Sequence, residues 1–321
     1  MKLDVYLTPD DLSEQLREDA REGLTSSPKW LPPKYFYDAY GSDLFERITK
    51  LPEYYPTRAE RAVLAEHAAD IARETGVKTL VELGSGSSDK TRLLLDAMHD
   101  TGTLAQFVPL DVSETALRSA AKAIDGDYPD LEVHGIVGDF SHDLHRIPEG
   151  GRRMVVFLGG TIGNLPPLER AAFLEELRDV LHEGEWLLLG TDLVKDPQTL
   201  VAAYDDAAGV TAEFNLNVLR VLNRNLGADF DLTAFEHVAL WDPKHNWIEM
   251  RLRATRDMRV EVPSLDLDVD FKAGEELRTE VSAKFDRVRV EAELSRAGFE
   301  AARWWTDPQG RFAVTLARAV E

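Results

Sequence analysis

The feature that most constrains the fold is an alternation of short apolar segments with helical patterns between residues 78 and 193. The apolar segments are KTLVEL, QFVPLDV, LEVHGIVGDF, RMVVFLGG and EWLLLGTDL. Between most of them lie the helical patterns DKTRLLLDAMH, ETALRSAAKAI and PLERAAFLEELRDVL. Near-continuously apolar strands that alternate with helices predict a parallel sheet covered on both faces. The fold class is therefore expected to be α/β.

A long helix is predicted ahead of this alternation, from Thr57 to Thr75. Its sequence, TRAERAVLAEHAADIARET, places apolar residues on one face, and Gly76 follows as a stop signal. Thr57 and Glu60 have the spacing of a capping box, in which each side chain accepts a hydrogen bond from the backbone N–H of the other residue. We therefore expect Glu60 to serve the helix N-terminus.

The pattern changes after Val194. Helical stretches around PQTLVAAYDDAA and TAEFNLNVLRVLNRNL precede TAFEHVALW and WIEMRLRAT, and the turn residues DPKHN join these last two segments into a predicted hairpin. DMRVEVPSLDLDVDF and EELRTEVSAKF predict a second hairpin. This part of the chain is thus an α+β insertion.

The last segments return to the first sheet. A helix is predicted over RVRVEAELSRAGF, followed by EAARWWTD and RFAVTLARA, an antiparallel pair that closes one sheet edge. We predict an α/β domain formed by 59–194 plus 285–321, and a second lobe formed by 1–58 plus 195–284.

Composition excludes several functional classes. The formal net charge of −21 disfavours a nucleic-acid surface, because such a surface needs clustered Lys and Arg. The absence of cysteine excludes disulfides, thiolate catalysis and Cys-based zinc sites. The histidines are scattered, and His142 and His145 fall in a predicted loop, so we expect no metal. With neither a leader nor an apolar run of about 18 residues, the expectation is a cytoplasmic protein without membrane contact.

A glycine-rich loop follows the first strand of the alternation. GSGSSDKT, residues 84–91, departs from the phosphate-binding pattern G-x-x-x-x-G-K-[ST] at Asp89. A carboxylate there opposes a triphosphate, and the dinucleotide fingerprint fails at the same residue. A ligand with a nucleoside and no phosphate removes the conflict, and S-adenosylmethionine is such a ligand.

Acidic residues end the next two strands. Asp111 ends VPLDV and is placed to accept hydrogen bonds from a ribose diol, while Asp139 in GDF can accept from an adenine amino group. Phe140 can lie on the adenine ring. Because ligands of open α/β sheets bind at the carboxyl ends of the strands, the three features together predict one cofactor site.

On these residues the chain resembles the class I S-adenosylmethionine-dependent methyltransferases. VELGSGSS is similar to their first motif, although Ser88 replaces a third glycine often found there. The resemblance implies a class I (Rossmann-like) methyltransferase sheet, with the α+β insertion as a substrate-binding lobe. It also implies cofactor contacts from Gly84, Lys90, Asp111, Asp139 and Phe140, with Lys90 meeting the carboxylate of the methionine tail.

Two further segments bear on the methyl acceptor. In GGTIGNLPP the glycines, among them Gly159, permit close backbone approach, and Asn164 offers both a donor and an acceptor. This segment does not match the Asn/Asp-Pro-Pro-aromatic signature of enzymes that methylate DNA bases or amides. Five of the eight tyrosines lie in residues 35–55. They form either a packed aromatic cluster or a site for a small polar amine.

The combination of YFYDAYGSDLFERI, LPEYYPTR, FLGGTIGN, the helix bearing Tyr204, WIEM and LRTEVSAKF resembles the histidine-specific N-alpha-methyltransferases of ergothioneine biosynthesis. The resemblance covers essentially the whole chain and implies trimethylation of the α-amine of L-histidine to hercynine. It assigns Tyr54, Asn164 and Tyr204 to the α-carboxylate, and Tyr37, Asn164 and the Gly159 backbone to the amine. It assigns Glu280, Ser282 and Met250 to the imidazole and its surroundings.

The residues support the imidazole assignment independently. Glu280 and Ser282 are two apart in a predicted strand and therefore face the same side. A carboxylate and a hydroxyl can satisfy both ring nitrogens. The expected mechanism is direct displacement at the methyl carbon, with Tyr37 orienting the amine and helping to pass its proton to water. An α-amine, with a reference pKa of about 8, needs no strongly perturbed base.

Other functions share the same cofactor loop. One alternative is a methyltransferase or aminopropyl transferase that acts on another small amine. Another is a non-catalytic protein that only binds S-adenosylmethionine. The resemblance also implies a monomer.

Overall fold

The computed structural model of the protein describes residues 1–86, 88 and 90–321. Its α-helices are α1 (Pro9–Thr25), α2 (Ala39–Ile48), α3 (Pro56–Thr75), α4 (Arg92–Asp100), α5 (Glu114–Asp127), α6 (Pro167–Val180), α7 (Pro197–Tyr204), α8 (Val210–Leu226) and α9 (Arg287–Arg296). Its strands are β1 (Lys2–Val5), β2 (Lys29–Trp30), β3 (Thr79–Leu83), β4 (Gln106–Asp111), β5 (Glu132–Val137), β6 (Arg153–Phe157), β7 (Trp186–Asp192), β8 (Phe235–Asp242), β9 (Trp247–Ala254), β10 (Met258–Val262), β11 (Leu267–Phe271), β12 (Glu276–Ala283), β13 (Phe299–Thr306) and β14 (Phe312–Ala319).

The first of two compact units comprises Met1–Thr8, Pro56–Val194 and Phe285–Glu321. Within its described residues eight strands form one sheet, in the order β1-β5-β4-β3-β6-β7-β14-β13. The first six strands of this order pair in parallel. In contrast, β14 runs antiparallel to β7, and β13 runs antiparallel to β14. The predicted α/β class and the antiparallel closing pair are confirmed.

The order of the sheet reverses at β3. This strand pairs on one side with β4, the next strand in the chain. On the other side it pairs with β6, which follows β5 in the chain. At such a reversal the connections leave in opposite directions, and a crevice opens outside the carboxyl ends of the strands. The glycine loop that follows β3 and the Leu158–Gly160 segment that follows β6 both start at this edge.

The centre of the sheet is buried on both faces, as the sequence pattern predicts. Every residue of β3 and of β6 is buried. On α3, the buried residues include Val63, Leu64 and Ile71, which pack into the same core as Leu80 and Val156. Helices recur on the sheet because their apolar stripes can be covered only there.

The second unit comprises Pro9–Tyr55 and Lys195–Lys284. Its main sheet has the order β2-β12-β9-β8, and β10 pairs with β11 apart from it. The β8–β9 hairpin is confirmed, with Trp241 opposite Ile248 and Ala239 opposite Met250. Helices α7 and α8 contact these strands.

The division differs from the predicted domains at the N-terminus. Residues 1–8 and 56–58 belong to the first unit, whereas 1–58 was expected to belong entirely to the second lobe. The reason for the first difference is that β1 pairs with β5, so that Leu3 lies opposite Gly135. The reason for the second is that α3 begins at Pro56.

The second predicted hairpin was wrong in its pairing. The segment DMRVEVPSLDLDVDF turns within itself at Pro263–Leu265, where Asp266 adopts a left-handed conformation with φ 48°, and forms β10 and β11. EELRTEVSA forms β12 and pairs with β9 instead. A proline, which cannot donate to a strand ladder, marked the break in the sequence.

Among the described residues, no helix combines the length and the apolar character needed to cross a membrane.

Candidate functional site

The glycine loop owes its composition to backbone conformation. Gly84 and Gly86 have φ of +67° and +48°, and a Cβ at either position would meet no atom within 4 Å. These glycines are therefore required by the left-handed backbone and not by lack of space. Ser88 also has a positive φ, 54°, in place of the third glycine of the related motif. Its hydroxyl donates to Glu82 at 2.8 Å, a contact that helps to hold the serine in this conformation.

Glu82, in β3, is the buried anchor of this loop. Its carboxylate accepts hydrogen bonds from the hydroxyls of Ser88 and Thr91, one from the loop and one from the start of the next helix. Burial raises the pKa of Glu82 to about 7, against the lowering effect of these two hydroxyls. Asp89, the residue that rules out a phosphate loop in the sequence, lies outside the described residues.

Asp111 lies at the end of β4, next to the loop. Its Oδ2 accepts the Gly86 N–H at 2.9 Å, and its Oδ1 accepts the Ser113 N–H at 2.9 Å. Burial raises the pKa of this carboxyl. Each carboxylate oxygen has two lone pairs, so the group is suited to accept further bonds from a ribose diol while it positions the loop.

Asp139 and Phe140 follow β5. Asp139 is 5% exposed, and its Oδ1 accepts the Ser141 N–H at 2.8 Å. Phe140 is half-buried, with its ring 5.1 Å from that of Phe157 and 5.9 Å from that of Phe173. These edge contacts hold the ring in a fixed orientation, as a platform for a flat base requires.

These positions fit S-adenosylmethionine. The carboxyl ends of β5, β4 and β3 are neighbours in the sheet and carry Asp139, Asp111 and the glycine loop in that order. Carboxylates repel a phosphate but accept hydrogen bonds from the hydroxyls and amino group of a nucleoside. In the described ranges no group of three or more His, Asp or Glu side chains is placed to hold a metal ion.

Glu60 is a residue of this region that the sequence analysis placed wrongly. It is fully buried on α3, and its two carboxylate oxygens lie 2.8 and 3.0 Å from the Gly159 backbone nitrogen, which donates to them. It also forms an ion pair with Lys90. The capping box with Thr57 is therefore wrong for Glu60. A signal was present, because Glu60 precedes Val63 and Leu64 by three and four positions and so lies on the apolar face.

Lys90 accordingly has a carboxylate of the protein as a partner. Its predicted contact with the methionine tail of the cofactor stays a prediction. An ammonium carries three donors, and the contact with Glu60 uses one of them. Gly159 and Gly160 have φ of +78° and +70°, and Asn164 ends the short 3₁₀ turn Thr161–Asn164 that follows. Asn164 is half-buried.

The second unit holds the remaining predicted residues. A row of aromatic rings connects the three predicted tyrosines: Tyr37 to Phe45 at 5.5 Å, Phe45 to Tyr54 at 6.2 Å, and Tyr54 to Tyr204 at 6.3 Å between ring centroids. All three pairs meet edge to face, the arrangement that aromatic quadrupoles favour. The packed aromatic cluster is therefore present, and a substrate site formed by its tyrosines stays a prediction.

Tyr204, the last residue of α7, is held at both its backbone and its hydroxyl. Its carbonyl accepts from His237 Nε2 at 2.8 Å, and His237 Nδ1 lies 2.8 Å from the Asn215 side-chain nitrogen. Burial lowers the pKa of His237, which favours the neutral ring with its proton on Nε2. The Tyr204 hydroxyl lies 2.8 Å from that of Ser282.

The residues predicted to surround the imidazole are neighbours in the sheet. Glu280 and Ser282 lie in β12 beyond a bulge between Arg278 and Glu280, and Glu280 is directly opposite Met250 of β9. Met250 and Ser282 are buried and Glu280 is half-buried. Opposite residues of adjacent strands share a face, so the three side chains belong to one face of the sheet.

Lys284 was not predicted for this site. It is 1% exposed, and its Nζ donates to Tyr204 Oη and to Ser282 Oγ, each at 2.8 Å. The available signal was the spacing of Glu280, Ser282 and Lys284, which continues the two-residue period of a strand.

Comparison with known proteins decides the family. The model of a family described as histidine-specific methyltransferase, SAM-dependent, matches residues 16–319. The chain belongs to this family. It is 59% identical to the histidine N-alpha-methyltransferase of Mycolicibacterium smegmatis over 97% of each chain, and 56% identical to that of Mycobacterium tuberculosis over 94% of each. It is 31% identical to ergothioneine biosynthesis protein 1 of Neurospora crassa, over 87% of this chain and 32% of that protein.

Membership confirms the predicted fold and cofactor. The first unit carries the class I methyltransferase sheet, the second unit is the α+β insertion, and S-adenosylmethionine is the methyl donor of the family. The individual contacts of Gly84, Lys90, Asp111, Asp139 and Phe140 with this cofactor remain predictions.

Gly190→Ala tests whether the contacts of Glu60 with Gly159 and Lys90 support cofactor binding. A Cβ at Gly190 would lie 2.1 Å from Glu60 Oε1, so the carboxylate must leave the Gly159 N–H and Lys90. We expect the Kd for S-adenosylhomocysteine, measured by calorimetry, to rise about tenfold or more. Gly126→Ala is the control, because a Cβ there meets nothing within 4 Å. An unchanged Kd in folded Gly190→Ala would refute the role.

Glu82→Gln tests the buried carboxyl. Between its ordinary pKa and about 7, folded Glu82 keeps a proton that the unfolded chain has released. The free energy of unfolding therefore falls as the pH rises through this window, by at most about 3 kcal/mol. We expect Glu82→Gln to remove this part of the slope in urea unfolding between pH 5 and pH 7.5. The exposed control Glu114→Gln should keep the slope, and an equal slope in all three proteins contradicts the assignment.

Proposed function

We propose that the protein transfers methyl groups from S-adenosylmethionine to the α-amino group of L-histidine and gives hercynine after three transfers, a step of ergothioneine biosynthesis. The observation that carries the proposal is the family match over residues 16–319, together with 59% and 56% identity to two histidine N-alpha-methyltransferases. The same resemblance assigns the residues that bind the amino acid, and local contacts of Tyr37, Tyr204 and Met250 support it.

Tyr54, Tyr204 and Asn164 are proposed to bind the α-carboxylate. Tyr54 and Tyr204 are adjacent, with ring centroids 6.3 Å apart, and the Tyr204 hydroxyl has the Lys284 ammonium 2.8 Å away. A hydroxyl that accepts from a cation is a stronger donor toward an anion, because hydrogen bonds in a chain polarise one another. Asn164 is assigned from the resemblance, and its amide can donate to a carboxylate.

Glu280 and Ser282 are proposed to recognise the imidazole, with Met250 packing beside it. Met250 lies directly opposite Glu280 across the β9–β12 pair. A neutral imidazole carries one donor and one acceptor nitrogen, which match a carboxylate and a hydroxyl. A competing side chain that leaves Glu280 without such a donor loses affinity, since a desolvated carboxylate is costly to leave unpaired.

Tyr37, Asn164 and the Gly159 backbone are proposed to orient the amine. The Gly159 N–H donates to Glu60, so the group of Gly159 that is proposed to face the amine is its carbonyl oxygen. The Tyr37 ring is held edge to face by Phe45 and Phe214, at 5.5 and 5.4 Å, and this holds the direction of its hydroxyl.

The chemistry asks little of the protein beyond alignment. When bound, S-adenosylmethionine supplies an electrophilic methyl carbon on its sulfonium. The side chains hold the neutral amine behind that carbon, so that the N–C bond forms as the S–C bond breaks. Tyr37 is proposed to help the ammonium proton reach water between transfers. The tyrosine ring faces tolerate the growing quaternary ammonium, as aromatic faces do for such cations.

We further propose that the protein acts as a cytoplasmic monomer on free L-histidine, without a nucleic-acid or membrane partner. The net charge of −21 supports this for nucleic acid, because like charges repel.

Mass spectrometry of separate reactions with S-adenosylmethionine and each of the twenty amino acids tests the function. We expect a gain of three methyl groups on histidine alone. Methylation of another amine instead, or transfer of an aminopropyl group to a polyamine, would refute the substrate. Binding of S-adenosylmethionine without any turnover would favour the alternative of a non-catalytic binding protein.

Tyr37→Phe tests the hydroxyl of Tyr37. The ring and its packing against Phe45 and Phe214 are kept. We expect kcat for L-histidine to fall about a hundredfold or more, since a positioned proton carrier contributes about 10²–10⁴-fold. The control is Tyr40→Phe, which removes a hydroxyl 3.0 Å from Glu213 on the exposed Tyr40 side chain, and its kcat should stay near the wild-type value. Equal kcat values in the wild type, Tyr37→Phe and Tyr40→Phe would refute the proposed role of the Tyr37 hydroxyl.

A further inference from the structure

A buried amide on α8, that of Asn215, has partners in three strands of the second unit. Asn215 is 0% exposed, and its Nδ2 lies 2.8 Å from His237 Nδ1 and donates to the Arg251 carbonyl at 3.1 Å. Its Oδ1 accepts the Thr279 hydroxyl at 2.6 Å. The nitrogen and the oxygen of this amide are therefore both hydrogen-bonded.

The orientation of the amide follows from the Arg251 carbonyl. A carbonyl only accepts, so the nitrogen of Asn215, and not its oxygen, faces it. The second N–H of that nitrogen donates to His237 Nδ1, which leaves the ring proton of His237 on Nε2. There it donates to the Tyr204 carbonyl at 2.8 Å. Asn215 thus holds the backbone of Tyr204 through one neutral imidazole.

The partner of the amide oxygen, Thr279, is the extra residue in the bulge of β12. Its two neighbours in β12 lie opposite consecutive residues of β9. Thr279 is 0% exposed, and its hydroxyl lies 2.6 Å from Asn215 Oδ1 and 3.0 Å from the Met250 carbonyl. A bulge redirects the side chain beside it, and the residue after Thr279 is Glu280. Asn215 therefore fixes the bulge from which Glu280 projects.

The two contacts of Asn215 lead to opposite ends of the proposed substrate. Tyr204 is proposed to bind the α-carboxylate, and Glu280 is proposed to bind the imidazole. In L-histidine a single methylene separates the α-carbon from the ring. The separation between Tyr204 and Glu280 therefore determines which length of side chain fits between them.

We propose, on the basis of the function proposed above, that Asn215 and Thr279 are specificity-determining positioning residues that select the length of the substrate side chain. They hold Glu280 and Tyr204 at the separation that fits L-histidine, so that a longer side chain cannot satisfy both. Neither residue takes part in the methyl transfer.

The alternative role for this contact is structural. In that case its loss lowers the melting temperature and leaves the choice of substrate unchanged. The two roles differ in the ratio of kcat/KM for L-histidine to kcat/KM for L-homohistidine, which has one further methylene between the α-carbon and the imidazole. We expect a wild-type ratio of about ten or more, since one methylene is worth about 10–200-fold in discrimination.

Two substitutions at Thr279 separate the hydroxyl from the methyl group. Thr279→Val keeps the shape and removes the hydroxyl, which leaves Asn215 Oδ1 without its donor. Thr279→Ser keeps the hydroxyl and removes the methyl. We expect Thr279→Val to lower the ratio about tenfold and Thr279→Ser to keep it near the wild-type value. A ratio that is equally low in both variants would assign the effect to packing and overturn the proposal.

Asn215→Leu breaks the same contact from the other side at similar volume. We expect it to lower the ratio at least as much as Thr279→Val does. The double variant should show no further fall, because both changes remove one shared contact. A fall equal to the product of the two single effects would show that the residues act independently, and would overturn the proposal.

Thr315→Val is the matched control. Thr315 lies in β14 of the first unit and is 0% exposed, and its hydroxyl has no hydrogen-bond partner among the residues that the structure describes. The ratio should not change. Thermal melting and the Kd for S-adenosylhomocysteine establish that each variant is folded. Because Thr279→Val and Asn215→Leu break the same contact, either one, if folded, decides the outcome.

Wild-type protein provides a test that needs no variant. If it methylates L-homohistidine as efficiently as L-histidine, the proposal is overturned. A wild type that is inactive on L-histidine refutes the proposed function, and the positioning role with it. A wild type that is active and selective, together with an unchanged ratio in folded Thr279→Val or Asn215→Leu, refutes the positioning role alone.

Discussion

In the first unit, β3 and β6 are neighbours in the sheet. The buried carboxylate of Glu60 contacts the segment that follows each of them. It accepts the Gly159 N–H after β6 and pairs with Lys90 of the glycine loop after β3. Gly190 of β7 leaves space for it, since a Cβ there would lie 2.1 Å from Glu60 Oε1. A carboxylate buried to this degree is stable only with such donors, so the helix, the two loops and the glycine depend on one another.

Glu82, in β3, is a second buried carboxylate that positions the glycine loop. It accepts from Ser88 and Thr91, and Ser88 has the positive φ for which related loops use a glycine. In this loop a hydrogen bond from Ser88 to the buried Glu82 thus holds a conformation for which related loops use a glycine. The same strand edge uses Asp111 to hold Gly86, so both acids that surround the loop position its backbone. Both carboxylates therefore determine the geometry of the loop that is proposed to bind the cofactor.

In the second unit, the position of Tyr204 is determined from three directions. His237 holds its carbonyl, Ser282 and Lys284 hold its hydroxyl, and Tyr54 packs against its ring. Each partner comes from a different element, namely β8, the end of β12 and the segment after α2. A side chain held at its backbone, its ring and its polar tip has little freedom left, as its proposed contact with the α-carboxylate requires.

The sequence by itself determined the α/β class and the antiparallel closing strands, because apolar periodicity is a local property. The cofactor edge, predicted from Gly84, Asp111 and Asp139 at strand ends, stays a prediction. The self-paired β10–β11 segment was misjudged because strand pairing depends on which partner is available, and that is not local. The partners of Glu60 and Lys284 were decided by the tertiary structure alone. Glu60 is 99 residues from Gly159, and Lys284 is 80 from Tyr204. A charge on an apolar face shows only that some partner must exist, whereas folding decides which one lies within hydrogen-bond distance.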